Sequence, residues 1–162
     1  MNARAKIVGL KKLKNIVRAL KKKGQRIAFT NGCFDLLHVG HTAYLERAKG
    51  KNRVLIVGLN SDSSVKKIKG PGRPIVNENE RAAVLTALAS VDYVTIFKEE
   101  TPLKVIAVLK PDVLVKGADW KMKEVVGADV VKANGGKVEF IRYIQGSSTT
   151  NIIERIRATC GG

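Results

Sequence analysis

Residues 53–60, RVLIVGLN, form a nearly unbroken apolar run. A strand with one face in water alternates apolar and polar residues. A run without alternation fits a strand covered on both faces, as in a parallel sheet. Four shorter apolar segments of the same kind recur: RIAFT at 26–30, DYVTIF at 92–97, DVLVKG at 112–117 and KVEFI at 137–141. Helical patterns separate them, at 41–49, 77–90, 101–109 and 127–136, and TTNIIERIRA at 149–158 follows the last strand. The helix at 77–90 opens on a capping Asn77 or Asn79 and shows a stripe at Val84, Leu85 and Leu88. The helix at 101–109 opens on Thr101 and Pro102.

Strands that alternate with helices close into a parallel sheet through right-handed crossovers. The expected fold class is α/β: a single Rossmann-like domain, a five-stranded parallel sheet with helices on both faces. In such sheets ligands bind outside the carboxyl ends of the strands, where the strand order reverses. An amphipathic helix at 7–20, striped by Ile7, Leu10, Leu13, Val17 and Leu20, precedes the first strand. Residues 1–24 are expected to dock as a basic helix on a domain of residues 25–162.

The net charge is +16, and it is unevenly placed. Residues 1–26 hold ten Lys and Arg and no acid. Such an arm is either a surface for a polyanion or anionic membrane, or a solvated helix face. Aromatic interleaving, a mark of single-strand nucleic-acid binding, is absent from the arm, so nucleic acid is not the expected partner. No apolar run reaches the ~20 residues of a membrane helix, and the start lacks a secretory core. Two cysteines, Cys33 and Cys160, make no disulfide framework. A cytoplasmic protein is expected.

Two phosphate signatures are missing: G-x-x-x-x-G-K-[ST], and G-x-G-x-x-G after the first strand. The first strand leads instead into Thr30-Asn31-Gly32-Cys33-Phe34-Asp35-Leu36-Leu37-His38-Val39-Gly40-His41. The chain turns at Asn31-Gly32 and enters a helix near Val39 or Gly40. Both histidines of the protein lie at its start. Free N–H groups, the positive end of the helix dipole and two imidazoles then converge on one point, which suits an anion. Gly40 lets a phosphate approach the backbone. The His-x-x-His spacing also suits a metal pair, but only Cys33 adds a soft ligand nearby, and no metal ligand is named. Cys33 lacks the partners of a catalytic triad and reads as a small buried filler of the turn. Residues 66–79, KKIKGPGRPIVNEN, read as a long functional loop.

TNGCFDLLHVGH resembles the His-x-Gly-His motif of the nucleotidylyltransferase superfamily, which includes the cytidylyltransferases. Within it the chain is most similar to D-glycero-D-manno-heptose 1-phosphate adenylyltransferases. That similarity extends over KIVGLKKL near the N-terminus, GLNSD at 58–62, RPIVNENER at 73–81, ETPLKVI at 100–106, LVKGADW at 114–120 and GSSTTNII at 146–153. It implies adenylyl transfer from ATP to a sugar phosphate, with pyrophosphate released. A cytidylyltransferase for glycerol 3-phosphate is the alternative. The arginine of that branch's second signature is absent, with Arg142 one place away.

The resemblance implies that His38 and His41 stabilise the transition state and that Lys69 is the catalytic lysine, ahead of Lys66 and Lys67. It implies nucleotide contacts at Thr30, Asn31, Cys33, Phe34, Gly40, Gly146, Ser148, Thr149 and Thr150. Asp35 would orient the turn or the acceptor. Lys66, Arg81 and Lys116 would contact substrate, with Asp119 and Trp120 as weaker candidates. Mg²⁺ would be held mainly through the nucleotide phosphates. The expected partners are small-molecule substrates and a second copy of the chain, in a homodimer.

Overall fold

The computed structural model describes residues 3–118, 125–142 and 148–160. Five strands, β1 (Arg26–Gly32), β2 (Arg53–Asn60), β3 (Tyr93–Phe97), β4 (Val113–Gly117) and β5 (Lys137–Ile141), form one sheet. All pairings are parallel, in the order β3-β2-β1-β4-β5. The order reverses between β1 and β4. The α-helices among the described residues are α1 (Leu10–Lys22), α2 (Val39–Lys49), α3 (Asp62–Lys69), α4 (Glu78–Ala87), α5 (Leu103–Leu109), α6 (Ala128–Ala133) and α7 (Thr149–Cys160), and a 3-10 helix at Ala3–Lys6 precedes them.

The sheet carries a core on each face because strand side chains alternate. Ile27, Phe29, Ile56 and Leu114 point to one side, with Leu13 and Val17 of α1, Val105 and Ile106 of α5 and Val131 of α6. Ala28, Leu55, Val57 and Val115 point to the other, with Tyr44 and Leu45 of α2 and Ala82 and Leu85 of α4. Every residue of β2 after Arg53 is buried, as its unbroken apolar run requires. Gly58 cannot carry a side chain: a Cβ there would stand 2.7 Å from the Phe29 ring.

Several local expectations are corrected. The first helix starts at Leu10, after Gly9, rather than at Ile7. Ile7 instead makes a parallel bridge to Val94, and the Val8 amide donates to the Val94 carbonyl at 2.9 Å. Extended backbone suits β-branched residues, and here it covers the outer edge of β3. Val84 is 51 % exposed and so leaves the α4 core stripe to Leu85. Asn77, rather than Asn79, caps α4, its side chain accepting from the Asn79 and Glu80 amides. Pro102 occupies the cap position of α5 in place of Thr101. The expected loop at 66–79 begins as helix: Ser61 caps α3, which runs through Lys69.

Candidate active site

β1 pairs with β2 along seven residues but with β4 at only two, Ala28–Val113 and Phe29–Leu114. The pairing of β1 with β4 therefore stops short of their carboxyl ends and leaves a gap in the ladder at the reversal of strand order, where open α/β sheets bind ligands. Lys116 on β4 bridges it, donating from Nζ to Asn31 Oδ1. Burial lowers the Lys116 pKa to about 8. Next to Asn31 in the chain, the hydroxyl of Thr30 shares a buried hydrogen bond of 2.7 Å with that of Tyr44, which fastens α2 to β1.

The turn after β1 is shaped by Phe34, whose φ of 45° is left-handed and strained for an aromatic residue. Its ring folds back over Gly32, where a Cβ would stand 2.9 Å from it. The same ring lies 5.2 Å from that of His41. His38 occupies the cap position of α2 but makes no side-chain capping bond. Gly40 is buried within the first turn. The His38 and His41 rings sit 3.9 Å apart, and the Nδ1 of each is buried without a hydrogen-bond partner. Burial, then the neighbouring His38, drives the His41 pKa down to about 4, although the Leu36 carbonyl favours the cation. Burial lowers that of His38 as well. Both imidazoles are neutral at pH 7. An orphaned buried polar atom costs roughly 1–3 kcal/mol, and such atoms persist mainly where a site uses them.

α7 reaches this point from the far end of the sequence. Thr149 Oγ1 donates to the Leu36 carbonyl at 3.3 Å, and Ser148 Oγ accepts from the Asn151 amide at 3.0 Å. The N-terminus of α7 thus stands beside that of α2, with Thr150 exposed in its first turn. Gly146, Asp119 and Trp120 lie outside the described residues.

Asp35 is buried, and its carboxylate is fully engaged. It accepts from Arg73 Nε at 2.7 Å and from the Ile75 and Val76 amides at 2.9 Å each. Burial raises its pKa, but those bonds outweigh burial and hold it below the usual carboxylate range. Of its two expected roles, the structure gives it the orienting one: it pins residues 73–76 to the turn.

Arg81 departs from the expected substrate contact. Its side chain is fully buried and spends its donors on the chain itself. Cys33 is half-buried rather than buried. Burial raises its thiol pKa, against the lowering influence of Lys69, Arg81 and Arg73. Lys69 is the α3 lysine whose charge acts on the Cys33 thiol. Lys66, Lys67 and Lys69 are all exposed in the last turn of α3.

Arg73, Asp62 and Tyr44 are site residues that the local sequence pattern does not single out. The GLNSD segment held the signal for Asp62, a carboxylate just past the end of a buried strand, where sites form. Nothing local marks Arg73 or Tyr44.

The cytidylyltransferase-like family model matches residues 29–155. The chain belongs to the cytidylyltransferase-like family. This family member is 54 % identical over 157 residues to the "Bifunctional protein HldE" of Geobacter metallireducens, covering 97 % of the chain and 32 % of the relative. The protein of the same name from Geotalea uraniireducens is 55 % identical over 153 residues, covering 94 % and 31 %. The chain spans about a third of the length of these curated relatives. The crystal structure of the lipopolysaccharide core biosynthesis protein from Thermoplasma volcanium GSS1 is similar, with a TM-score of 0.60 and 29 % identity. That match covers 76 % of this chain and 98 % of the other.

Proposed function

We propose that the chain is a D-glycero-D-manno-heptose 1-phosphate adenylyltransferase, making ADP-heptose and pyrophosphate from ATP and the sugar phosphate. The observation that carries this is the pair of neutral imidazoles at the start of α2, with unpaired Nδ1 atoms, at the reversal of strand order. The likeness to the HldE proteins supports the heptose substrate. An oxygen of the acceptor phosphate attacks the α-phosphorus of ATP in line. A new P–O bond forms as the bond to the pyrophosphate oxygen breaks. The attacking oxygen already carries charge at neutral pH, so alignment and charge neutralisation supply the rate. His38 and His41 donate N–H to phosphoryl oxygens, while Lys116 and Lys69 offset the growing charge. The backbone of Asn31, Cys33, Phe34 and Gly40, and the hydroxyls of Ser148, Thr149 and Thr150, line the nucleotide path.

Mg²⁺ would come with the triphosphate and be held mainly through its phosphates, neutralising their charge. The ion pairs of Asp35 with Arg73 and of Asp62 with Arg81 fit a metal carried by the nucleotide, because both carboxylates are committed to arginines. Among the described residues no helix is long and apolar enough to cross a membrane. A cytoplasmic homodimer is the proposed form. α7 contributes no buried residue, and Ile156 on it is 53 % exposed, which supports a second copy as its cover. Sedimentation equilibrium tests the dimer.

A pyrophosphate-release screen crossing ATP, GTP, CTP and UTP with heptose 1-phosphate and glycerol 3-phosphate tests the activity. The ATP and heptose 1-phosphate pair should dominate. A site built to satisfy sugar hydroxyls rejects a ligand lacking them by up to about 10⁴-fold. Preference for CTP with glycerol 3-phosphate would move the assignment to the cytidylyltransferase branch.

A further inference from the structure

We infer that Arg81 is a positioning residue that sets the place of Lys69 from inside the fold. This deepens the proposed adenylyltransferase reaction and rests on it. Arg81 sits on α4, and its side chain has no exposure to solvent. Its Nε donates to the Val76 carbonyl at 2.9 Å. Its Nη1 donates to the Cys33 carbonyl and to the Asn60 carbonyl, the latter at 2.9 Å. Its Nη2 donates to Asp62 Oδ1 at 2.7 Å. One guanidinium therefore ties together the turn after β1, the end of β2, the start of α3 and the loop that follows α3.

Those four points bracket the lysine. Lys69 is the last residue of α3 and is followed by Gly70 and Gly72, both at positive φ in open space. Such a segment holds no position by itself. Its front end is fixed by Asp62, whose side chain takes Arg81 and whose amide donates to Glu78 Oε2 at 2.7 Å. Its back end is fixed at Val76, whose carbonyl takes Arg81 and whose amide takes Asp35. The turn after β1 hangs on the same guanidinium through the Cys33 carbonyl. Lysine and turn thus share one anchor, and their separation is set by it. A lysine cannot replace that anchor, because its point charge lacks the planar fork that reaches several acceptors at once.

The test compares Arg81→Lys with Leu13→Ala, a core change on the opposite face of the sheet, each assayed below its own melting point. Pyrophosphate release from ATP and heptose 1-phosphate is measured, alone and combined with Lys69→Ala. Arg81→Lys is expected to lower kcat about 30-fold with KM for ATP changed less than about threefold, the pattern of an interaction used in the transition state. Leu13→Ala should leave kcat within about twofold at a similar loss of Tm, as expected of a change remote from the chemistry. If Arg81 acts through Lys69, Lys69→Ala should cost far less on the Arg81→Lys background than on wild type. Additive losses, or an equal fall in kcat for Leu13→Ala, would overturn the inference. Should Arg81→Lys fail to fold, Asp62→Asn removes one anchor point and carries the same comparison.

Amide hydrogen exchange over residues 62–76 gives a readout that needs no substrate. Exchange there should speed up in Arg81→Lys and not in Leu13→Ala. Unchanged exchange would defeat the anchoring itself. A wild-type protein that releases no pyrophosphate would instead defeat the proposed reaction, leaving the exchange result to decide the anchor.

Discussion

Two half-buried imidazoles with buried, orphaned Nδ1 atoms lower stability in a measurable way. The unfolded His41 takes up a proton near its ordinary pKa of 6.5, whereas the folded one does so only near 4. The stability that comes from keeping it neutral is present above pH 6.5 and drains away as pH falls towards 4. Melting temperatures of the ligand-free protein should decline across that window, and His41→Gln should flatten the slope. A slope unchanged in His41→Gln would place its origin elsewhere. As for chemistry, His38→Ala or His41→Ala should lower turnover about a hundredfold, a common loss for one transition-state donor, with the fold retained. Lys116 sets the other limb. With a pKa near 8 it loses its charge above that pH, so kcat/KM should fall there. Lys116→Arg should move the fall to higher pH, whatever it does to the maximum rate.

α1 breaks the rules that stabilise an isolated helix. Gly9 caps it without a side-chain bond, its first turn has no acid, and Lys11 and Lys12 lie there against the positive end of the dipole. Packing overrides this, since Leu13 is fully buried and Val17 nearly so. Replacing Lys11 and Lys12 together by Glu should raise Tm, at about 0.3–1 kcal/mol per charge. Leu13→Asp should unfold the protein or nearly so, because an unpaired carboxylate would enter the core. Thermal melts of the two variants settle both points. In α3 the cap was legible in the sequence: Ser61 followed by Asp62 is a helix start. The glycine and proline cluster at 70–74 masked it by suggesting that the whole stretch was loop.

At the scale of the molecule the basic C-terminal end of α1 and the site lie at opposite ends of the sheet. Lys21 donates to the Lys110 carbonyl at 2.6 Å and pairs with Asp112 at 2.9 Å, both just before β4 begins. The site lies at the other, carboxyl ends of the strands. Neutralising Lys22 and Lys23 should therefore change kcat/KM only severalfold, through steering. MgATP should stabilise the folded protein by mass action, about 2.7 kcal/mol at a hundred times its Kd. A thermal shift series checks this, and Lys116→Ala should reduce the shift.

The sequence by itself determined the sheet, its parallel sense and the position of the turn after β1. Those follow from local patterns: the unbroken apolar run of β2, the alternation with helices, and an abrupt polar turn after β1. It also placed both histidines at one helix start, because three-residue spacing on a helix is a local matter. Only the tertiary structure decided the partners of the buried polar groups. Arg81, expected at the substrate, is closed off by carbonyls 21 and 48 residues away. Asp35 is claimed by amides 40 and 41 residues away, and Lys116 by Asn31, 85 residues distant. A charge in a sequence shows that a group will need a partner. Whether that partner is a substrate or the chain's own backbone depends on burial and on which segments the sheet brings together, and no local pattern encodes either.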